Sequence, residues 1–506
     1  MHKTFGILAS GLALLLAACT PPSSSNGGGN GTNPPSEIFA VLYEANGTKA
    51  LAMASDGTYL YVAGFRQGNY AEGLQDVLVW KLNEHGEVLA KRVIGSELMP
   101  GGSPYVVHVN DRAYALALDG DYLYVAGYLA GCDDSNQDTC GGYPFVAKLR
   151  KDDLEFVQGF GGNDTIFNQP GLTILDQVEP YERSYAYTVT ADENHLYVGG
   201  FGNVSSSASK GFLAVLDKST GQEQTRLVLG GNQDGAVTHV EAVLRGNEAV
   251  DIAFGSTLYI AGHTNIPFDC AGNPSGPVES HTFGFLIRAN IGDILDGNLC
   301  NNPANVVHLY SISPGPEELL ALTITAGNST RLFAAGICAF GPFGEGDITF
   351  TLSGQACLSQ LDPENGNRVY SKPTYPDPDN YPGNIPSNCS EISPGLYKCA
   401  DQARSVKLAS DGSVLVTGHV KGSRQGPDRF PGTEDGLSGS DLFFARYDIE
   451  GHQVAYTLKD YGGGTDLGFA VVQGPGGYHY VAGATTGPLG NVSNSNPKAI
   501  VLRFGP

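Results

Sequence analysis

Eight of the nine cysteines in this 506-residue sequence form four successive pairs, each separated by a short stretch. The paired-thiolate spacing of zinc sites, C-x-x-C, does not occur, which disfavours metal binding by these thiols. Eight cysteines can pair in about a hundred ways, but pairing in chain order keeps each bridge within one local segment. We therefore predict four disulfides: Cys132–Cys140, Cys270–Cys300, Cys338–Cys357 and Cys389–Cys399.

Two histidines, His263 and His419, follow the glycine of recurring segments of the form LYVAG. The same position is held by Phe65, Tyr128 and Phe201 in other copies. We predict that these five side chains lie on a rim that binds a ligand. Histidine pairs bind metals, but a whole repeat separates these two. A polar rim without a metal is therefore the expectation.

Two acidic segments offer the hard oxygen ligands that calcium prefers. One is "CDDSNQDTC", with Asp133, Asp134 and Asp138, and the other is "YPDPDNYPGN", with Asp377 and Asp379. Neither has the D-x-D-x-D-G spacing of a helix-flanked calcium loop, so solvated loops are favoured and calcium is the alternative. No G-x-S-x-G, H-E-x-x-H or phosphate-binding loop occurs, so no catalytic residue and no other cofactor is predicted.

The charge balance limits the partners. The chain carries 29 basic and 52 acidic residues, a formal net charge of −23. Such a field repels nucleic acid and anionic lipid headgroups. We therefore expect no nucleic-acid partner, membrane contact through an anchor only, and a monomer that binds a protein or a glycan.

The first residues point to export. Lys3 precedes the apolar run "FGILASGLALLLAA", which is too short to span a bilayer, and "LAAC" ends at Cys19. This ending resembles the lipobox of bacterial lipoproteins, which implies a signal peptide over residues 1–18 and acylation (palmitate) of Cys19. An ordinary secretory signal is the alternative. The lipoprotein interpretation and the predicted disulfides place the protein in the cell envelope, at the outer membrane or cell surface.

Residues 19–36 consist almost wholly of Pro, Ser, Gly, Asn and Thr after the cysteine. Such a composition buries no core and is typical of a flexible tether.

The remainder, residues 37–506, is built of repeats. Seven segments related to LYVAG recur, and their last glycines are Gly64, Gly127, Gly200, Gly262, Gly336, Gly418 and Gly483. Each unit contains four short alternating runs joined by polar, glycine-containing turns, without helical periodicity. This pattern predicts an all-β fold, a seven-bladed β-propeller of four-stranded antiparallel blades.

The last unit ends at its third run, "KAIVLRFGP", whereas "EIFAVLY" (37–43) stands alone before the first unit. We predict that this N-terminal strand completes the last blade and closes the ring, which leaves no open sheet edge. The repeats then form a single propeller.

The repeats also resemble a known family. "YIAGHTNIPF" (259–268), "YVAGATTGPLGN" (480–491) and the segments "GGNQDGA" and "GGGTDLG" are similar to the bacterial SBBP-type β-propeller repeat. The resemblance implies the fold and an exported location. It implies no activity, because the family shares none.

Two functions follow from this arrangement. The predicted disulfides place stapled insertions on one face, and inner runs such as "AYALAL" and "GFAVV" carry almost no acids or bases. We therefore predict a non-enzymatic binding or scaffold protein whose partner binds the stapled loop face. The alternative is a propeller hydrolase or lyase that acts on a carbohydrate or an ester in the central pocket.

Overall fold

The structure is a computed structural model. It describes residues 37–44, 47–67, 75–95, 111–132, 140–162, 169–175, 178, 183–205, 207–246, 257–297, 299–310, 317–325, 330–343, 350–374, 390–393, 396–398, 401–421, 440–461, 464–489 and 496–506. The predicted signal peptide, Cys19 and the tether lie outside these residues.

Seven antiparallel sheets contain nearly all of the described chain. The innermost strands are β2 (Thr48–Ser55), β6 (Arg112–Asp119), β10 (Ser184–Ala191), β14 (Thr238–Arg245), β18 (Glu318–Ile324), β24 (Gln402–Leu408) and β28 (Asp466–Gln473). The second strands contain the LYVAG-type segments: β3 (Leu60–Gln67), β7 (Tyr122–Cys132), β11 (His195–Asn203), β15 (Thr257–Thr264), β19 (Leu332–Phe343), β25 (Val414–Lys421) and β29 (His479–Thr485).

The outer half of each blade completes the four-stranded pattern. The third strands are β4 (Gln75–Leu82), β8 (Cys140–Arg150), β12 (Ser209–Asp217), β16 (Phe283–Asn290), β20 (Phe350–Leu361), β26 (Ser440–Tyr447) and β30 (Lys498–Phe504). The outermost strands are β5 (Val88–Ile94), β9 (Leu172–Ile174), β13 (Glu223–Leu229), β17 (Val306–Tyr310), β21 (Arg368–Pro373), β27 (Gln453–Lys459) and β1 (Glu37–Leu42).

Additional elements are few. Blade 5 carries two extra strands, β22 (Ser390–Ser393) and β23 (Leu396–Lys398), and β23 pairs in parallel with β20. Helix α1 (Ile291–Leu295) and two 3-10 turns (Leu299–Asn301 and Pro475–Gly477) are the helical elements of the described residues. No helix within the described ranges is long and apolar enough to cross a membrane.

The seven blades form a closed ring. Each inner strand contacts the inner strand of the next blade, from β2 through β6, β10, β14, β18, β24 and β28 and back to β2. The inner strands therefore surround a central channel, and apolar clusters fill the spaces between blades. Tyr61 of one LYVAG-type segment, for example, packs with Leu123 and Phe145 of the next blade. The predicted seven-bladed propeller is confirmed.

The predicted ring closure is also confirmed. Strand β1 pairs antiparallel with β30, and Leu42 lies opposite Ala499. Leu42 is 4% exposed, and the Phe39 and Tyr480 rings meet edge to face at 4.9 Å. The N-terminal strand thus supplies the outermost strand of blade 7.

Two of the four predicted disulfides are present, but neither lies where the binding hypothesis needs it. Cys338–Cys357 joins β19 to β20, and both residues are buried within the sheet. Cys270–Cys300 links the β15–β16 connection to the 3-10 turn after β16, so it spans strand β16.

The other two pairs are not established. Cys132 and Cys140 lie opposite each other in the register at the ends of β7 and β8, and their side chains lie outside the described part of the chain. Cys389 and Cys399 lie outside the described residues.

Candidate functional site

A β-bulge recurs at the same place on all seven inner strands, and it accounts for the repeated glycine. In blade 4 the register against β15 shifts between Val240 and Ala242, which leaves Glu241 as the extra residue. The bulge brings the His239 carbonyl so close to Gly262 that an added Cβ would lie 1.9 Å from its oxygen. At the equivalent glycine of each other blade, an added Cβ would lie 1.8–2.3 Å from the corresponding carbonyl oxygen. The glycine is required because the bulged backbone leaves no room for a side chain.

The bulge places two successive tiers of side chains on the channel, all of them half-buried except the exposed Arg404. We call the first the upper tier; its members lie opposite the residue after each repeated glycine: Lys49, Arg112, Tyr185, His239, Glu318, Gln402 and Leu467. The second, the lower tier, consists of the bulge residues themselves: Leu51, Tyr114, Tyr187, Glu241, Leu320, Arg404 and Phe469. Bulges are devices that re-aim side chains, often beside active sites.

Blade 4 brings two histidines and a carboxylate together. Glu241 Oε1 lies 3.7 Å from His239 Nδ1 and 3.7 Å from His263 Nδ1. One ligand atom from each of the three side chains lies within 4.8 Å of the other two. His263 is 8% exposed, and its Nδ1 makes no hydrogen bond within the described part of the chain. A buried polar atom without a partner is costly, so this nitrogen is a candidate ligand-binding atom.

His239 is held from its other side. Its Nε2 lies 2.9 Å from the Ser209 hydroxyl at the start of β12, and its ring stacks on Phe201 at a centroid distance of 3.6 Å. These two contacts fix the imidazole so that Nδ1 faces Glu241. A hydrogen bond to the second ring nitrogen is the usual support of a metal-binding histidine.

Burial governs protonation at this cluster. Burial lowers the pKa of His239 to about 4 and lowers the pKa of His263, with the neighbouring His239 adding to the effect and Glu318 and Glu241 opposing it. Burial also raises the pKa of Glu241, against the charges of His263 and Arg404. Both imidazoles are therefore neutral at pH 7, which is the form that binds metal ions.

A second carboxylate lies beside the cluster. Glu318 Oε2, on the upper tier of the next blade, lies 4.0 Å from His263 Nδ1. It offers either a fourth ligand or a base that accepts a proton from a bound molecule.

The five rim residues predicted from the sequence lie where expected along their strands but do not form one site. Phe201 and His263 belong to the blade 3–4 cluster with His239. Tyr128 packs edge to face on Tyr185 at 4.6 Å.

The other two are more distant from that cluster. Phe65 lies against the Arg112 guanidinium, 5.0 Å from ring centroid to carbon. His419 lies opposite Gln402 in blade 6, separated from His263 by blade 5. Sequence reasoning correctly separated the two histidines but missed the partners that His263 has in its own blade.

The metal expectation changes at this point. The chain brings together two imidazoles and a carboxylate, with His263 buried and His239 and Glu241 half-buried, where a polar rim without a metal was predicted. Such a set suits zinc, iron or manganese better than calcium, which takes six to eight oxygen ligands. The acidic segments proposed for calcium, with Asp133, Asp134, Asp138, Asp377 and Asp379, lie outside the described residues.

Comparison with known proteins gives solved structures only. No family model matches the chain, and no curated protein matches it. Similar structures include quinohemoprotein alcohol dehydrogenases from Pseudomonas putida HK5 (12% identity, TM-score 0.44) and Comamonas testosteroni (10%, 0.43), each alignment covering 93% of this chain and 76% of the other. A europium-containing methanol dehydrogenase is also similar (10% identity, TM-score 0.39), and its alignment covers 93% of each of the two chains.

The predicted non-enzymatic binding or scaffold role is wrong. Both premises of the prediction fail within this chain itself. The inner strands do carry acids and bases, namely His239, Glu241, Glu318 and Arg404. The two disulfides present do not staple a loop face, because one is buried within a sheet and the other spans a strand.

Proposed function

We propose that this chain is a β-propeller enzyme, a hydrolase or a lyase, whose active site lies on the channel side of blade 4. A divalent transition-metal ion held by His239, Glu241 and His263 is its cofactor. The observation that carries the proposal is the buried His263 Nδ1, which lacks a hydrogen bond and lies 3.7 Å from a carboxylate oxygen of Glu241.

A direct His263–Glu241 ion pair is a poorer explanation of this geometry. At 3.7 Å the two atoms are too far apart for a hydrogen bond, and burial holds the imidazole in its neutral form. Ligand atoms about 2.0–2.2 Å from one ion lie roughly 3–3.5 Å from one another. The two histidine–glutamate separations of 3.7 Å therefore need only a small contraction around an ion.

The chemistry suits the cleavage of a carbohydrate or an ester. When bound, the ion would supply a Lewis acid, which polarises a carbonyl or carboxyl oxygen or lowers the pKa of a bound water. Glu318 would accept the proton, from water in a hydrolysis or from carbon in an elimination. Ser209 and Phe201 would keep His239 oriented while the substrate exchanges.

The test compares metal content and activity in ligand variants. We expect the full chain, dialysed against zinc, manganese or iron(II), to retain about one ion, measured by mass spectrometry of the metal. His263→Ala and Glu241→Gln should weaken retention by at least the ~10–100-fold found when supporting residues alone are lost. Cleavage of a panel of esters and polysaccharides should fall in parallel.

His85→Ala is the matched control, because it removes an exposed histidine from the turn between β4 and β5 of blade 1. It should change neither metal content nor cleavage. A wild-type chain that retains no transition metal at micromolar concentration, or variants that retain as much as wild type, would overturn the proposed cofactor and with it the function.

A further inference from the structure

A pair of cations occupies the upper tier of blades 1 and 2, three and two blades away from the His–Glu cluster of blade 4. Lys49 and Arg112 hold equivalent positions on β2 and β6, which are neighbouring inner strands. Both lie by Phe65: Lys49 is opposite it in the strand register, and the Arg112 guanidinium lies 5.0 Å from its ring centroid. The two side chains thus share one corner of the channel mouth.

No carboxylate of the described residues forms an ion pair with either cation. Arg112 Nε donates to the neutral Gln75 Oε1 at 2.6 Å, and the Tyr114 hydroxyl is hydrogen-bonded to the same guanidinium. Burial and the charge of Arg112 both lower the pKa of Lys49. Within the described residues the two cations repel each other without a carboxylate partner, in a chain with a net charge of −23. A bound anion would relieve that repulsion.

Aromatic side chains lead from the cations to the metal ligands. Tyr128 and Tyr185 meet at 4.6 Å, Tyr185 and Phe201 at 4.9 Å, and Phe201 stacks on His239 at 3.6 Å. On the lower tier, Tyr114 and Tyr187 meet at 4.6 Å. Tyr185, Tyr187 and Tyr114 are only half buried, so faces and hydroxyls remain available on the channel.

Tyrosine combines an apolar face with a polar tip. A pyranose ring has the complementary surface, because its C–H faces are apolar and its hydroxyls lie around the edge. A fatty chain would leave the two cations without a counter-charge and the tyrosine hydroxyls without partners.

We infer that the substrate is an acidic saccharide. Its carboxylate binds between Lys49 and Arg112, its sugar rings pack along the tyrosines, and its reacting bond lies at His239, Glu241 and His263. The inference rests on the proposed function for the last of these contacts only. The arginine suits a two-pronged contact with a carboxylate, and the lysine adds a point charge.

The test is a binding titration on full-length protein treated with a chelator, so that neither metal nor turnover is needed. The probes are a trimer of galacturonic acid and its fully methyl-esterified counterpart, which has the same length without the charges. We expect wild type to bind the acid at least about tenfold more tightly than the ester. Lys49→Met should remove most of that preference, while binding of the ester stays unchanged.

Two further variants control for folding and for net charge. Lys49→Arg should retain the preference because it keeps the cation. Lys91→Met should behave as wild type. It removes an exposed lysine from the outermost strand of blade 1, where Lys91 pairs with Glu44.

The outcomes separate this inference from the proposed function. Equal affinity for acid and ester in wild type, no binding of the trimer, or an unchanged preference in Lys49→Met would overturn the inference. If the acid is bound preferentially but the metal-loaded enzyme does not cleave it, the anion site stands and the proposed function fails.

Discussion

At the scale of single residues, burial decides how the channel histidines titrate. It lowers the pKa of His239 to about 4 and that of His419 to about 3. For His419 the neighbouring Arg404 guanidinium adds to the effect. A buried neutral imidazole is a ready metal ligand, but His419 has no second histidine or carboxylate in its register, where Gln402 stands opposite. The same electrostatic state therefore gives a candidate site in blade 4 and none in blade 6.

His419 also makes stability depend on pH. Unfolded, it takes up a proton near its ordinary pKa of 6.5, whereas the folded chain resists that proton down to about pH 3. Between these values the unfolded state holds more protons, so stability falls as pH falls. We predict that His419→Gln flattens the loss of unfolding free energy between pH 7 and pH 4, by up to about 1.4 kcal/mol per pH unit. Urea unfolding of the metal-free protein at each pH measures this change in the unfolding free energy.

His452→Gln is the control, because that imidazole is exposed on the turn after β26 and pairs with Asp448. The absolute stability of His419→Gln at pH 7 is not the readout, since any core change alters it. If the unfolding free energy of His419→Gln falls with pH as steeply as that of wild type, then His419 takes up its proton at the same pH in the folded and unfolded chains, which contradicts the prediction.

At the scale of elements, the bulge and its glycine act as one device. The bulge supplies two channel residues in succession, and the glycine on the second strand leaves space for the displaced carbonyl. We predict that Gly262→Ala lowers the free energy of unfolding by about 1–3 kcal/mol, because its Cβ would lie 1.9 Å from the His239 oxygen. Metal retention should fall as well, since β14 must shift away from β15. Denaturant unfolding and metal analysis measure the two effects.

Gly211→Ala is the matched control on strand β12. Its Cβ would lie 3.2 Å from a Val240 methyl group, 3.3 Å from the Thr238 methyl group and 3.4 Å from the Val240 backbone nitrogen. These contacts are much looser than the 1.9 Å at Gly262, so we expect a smaller loss of stability and normal metal retention. If both alanine variants behave alike, the bulge does not constrain the site.

Much of this arrangement could be predicted from the sequence, because the glycine lies in a strongly patterned strand. The alternating segments around Gly262 and Gly483 locate second strands, and the count of such segments predicts the blades. The bulge leaves no comparable signal: "THVEAVLR" of β14 is an ordinary alternating run. His239 and Glu241 were therefore missed, although two polar residues on one face of an inner strand were the available clue.

The disulfides show the same limit. Chain order was enough to pair Cys270 with Cys300 and Cys338 with Cys357. It could not show that Cys338 and Cys357 lie inside a sheet, because the position of a side chain relative to the strands depends on where each strand begins. The function inferred from their placement failed for that reason.

At the scale of the whole molecule, the ring brings together residues that are far apart in the chain. Around the upper tier a cationic sector (Lys49, Arg112) is followed by the tyrosine sector of blades 2 and 3 and then by the His–Glu cluster of blade 4. The three sectors draw on four successive repeats, blades 1 to 4, and the proposed substrate must contact all of them. The proposed enzyme and its acidic substrate both depend on a ring that stays closed.

Closure depends on strand β1, which joins the first part of the chain to the last blade. Leu42 is 4% exposed within the cluster that connects blades 7 and 1, whereas its neighbour Val41 is 44% exposed. We predict that Leu42→Ala lowers the free energy of unfolding by about 2–5 kcal/mol, and that Val41→Ala changes it by no more than about 0.5 kcal/mol. Guanidinium unfolding of the two variants measures the difference. Similar small losses would mean that β1 is dispensable, that the ring holds together without its closing strand, and that the channel site does not depend on closure.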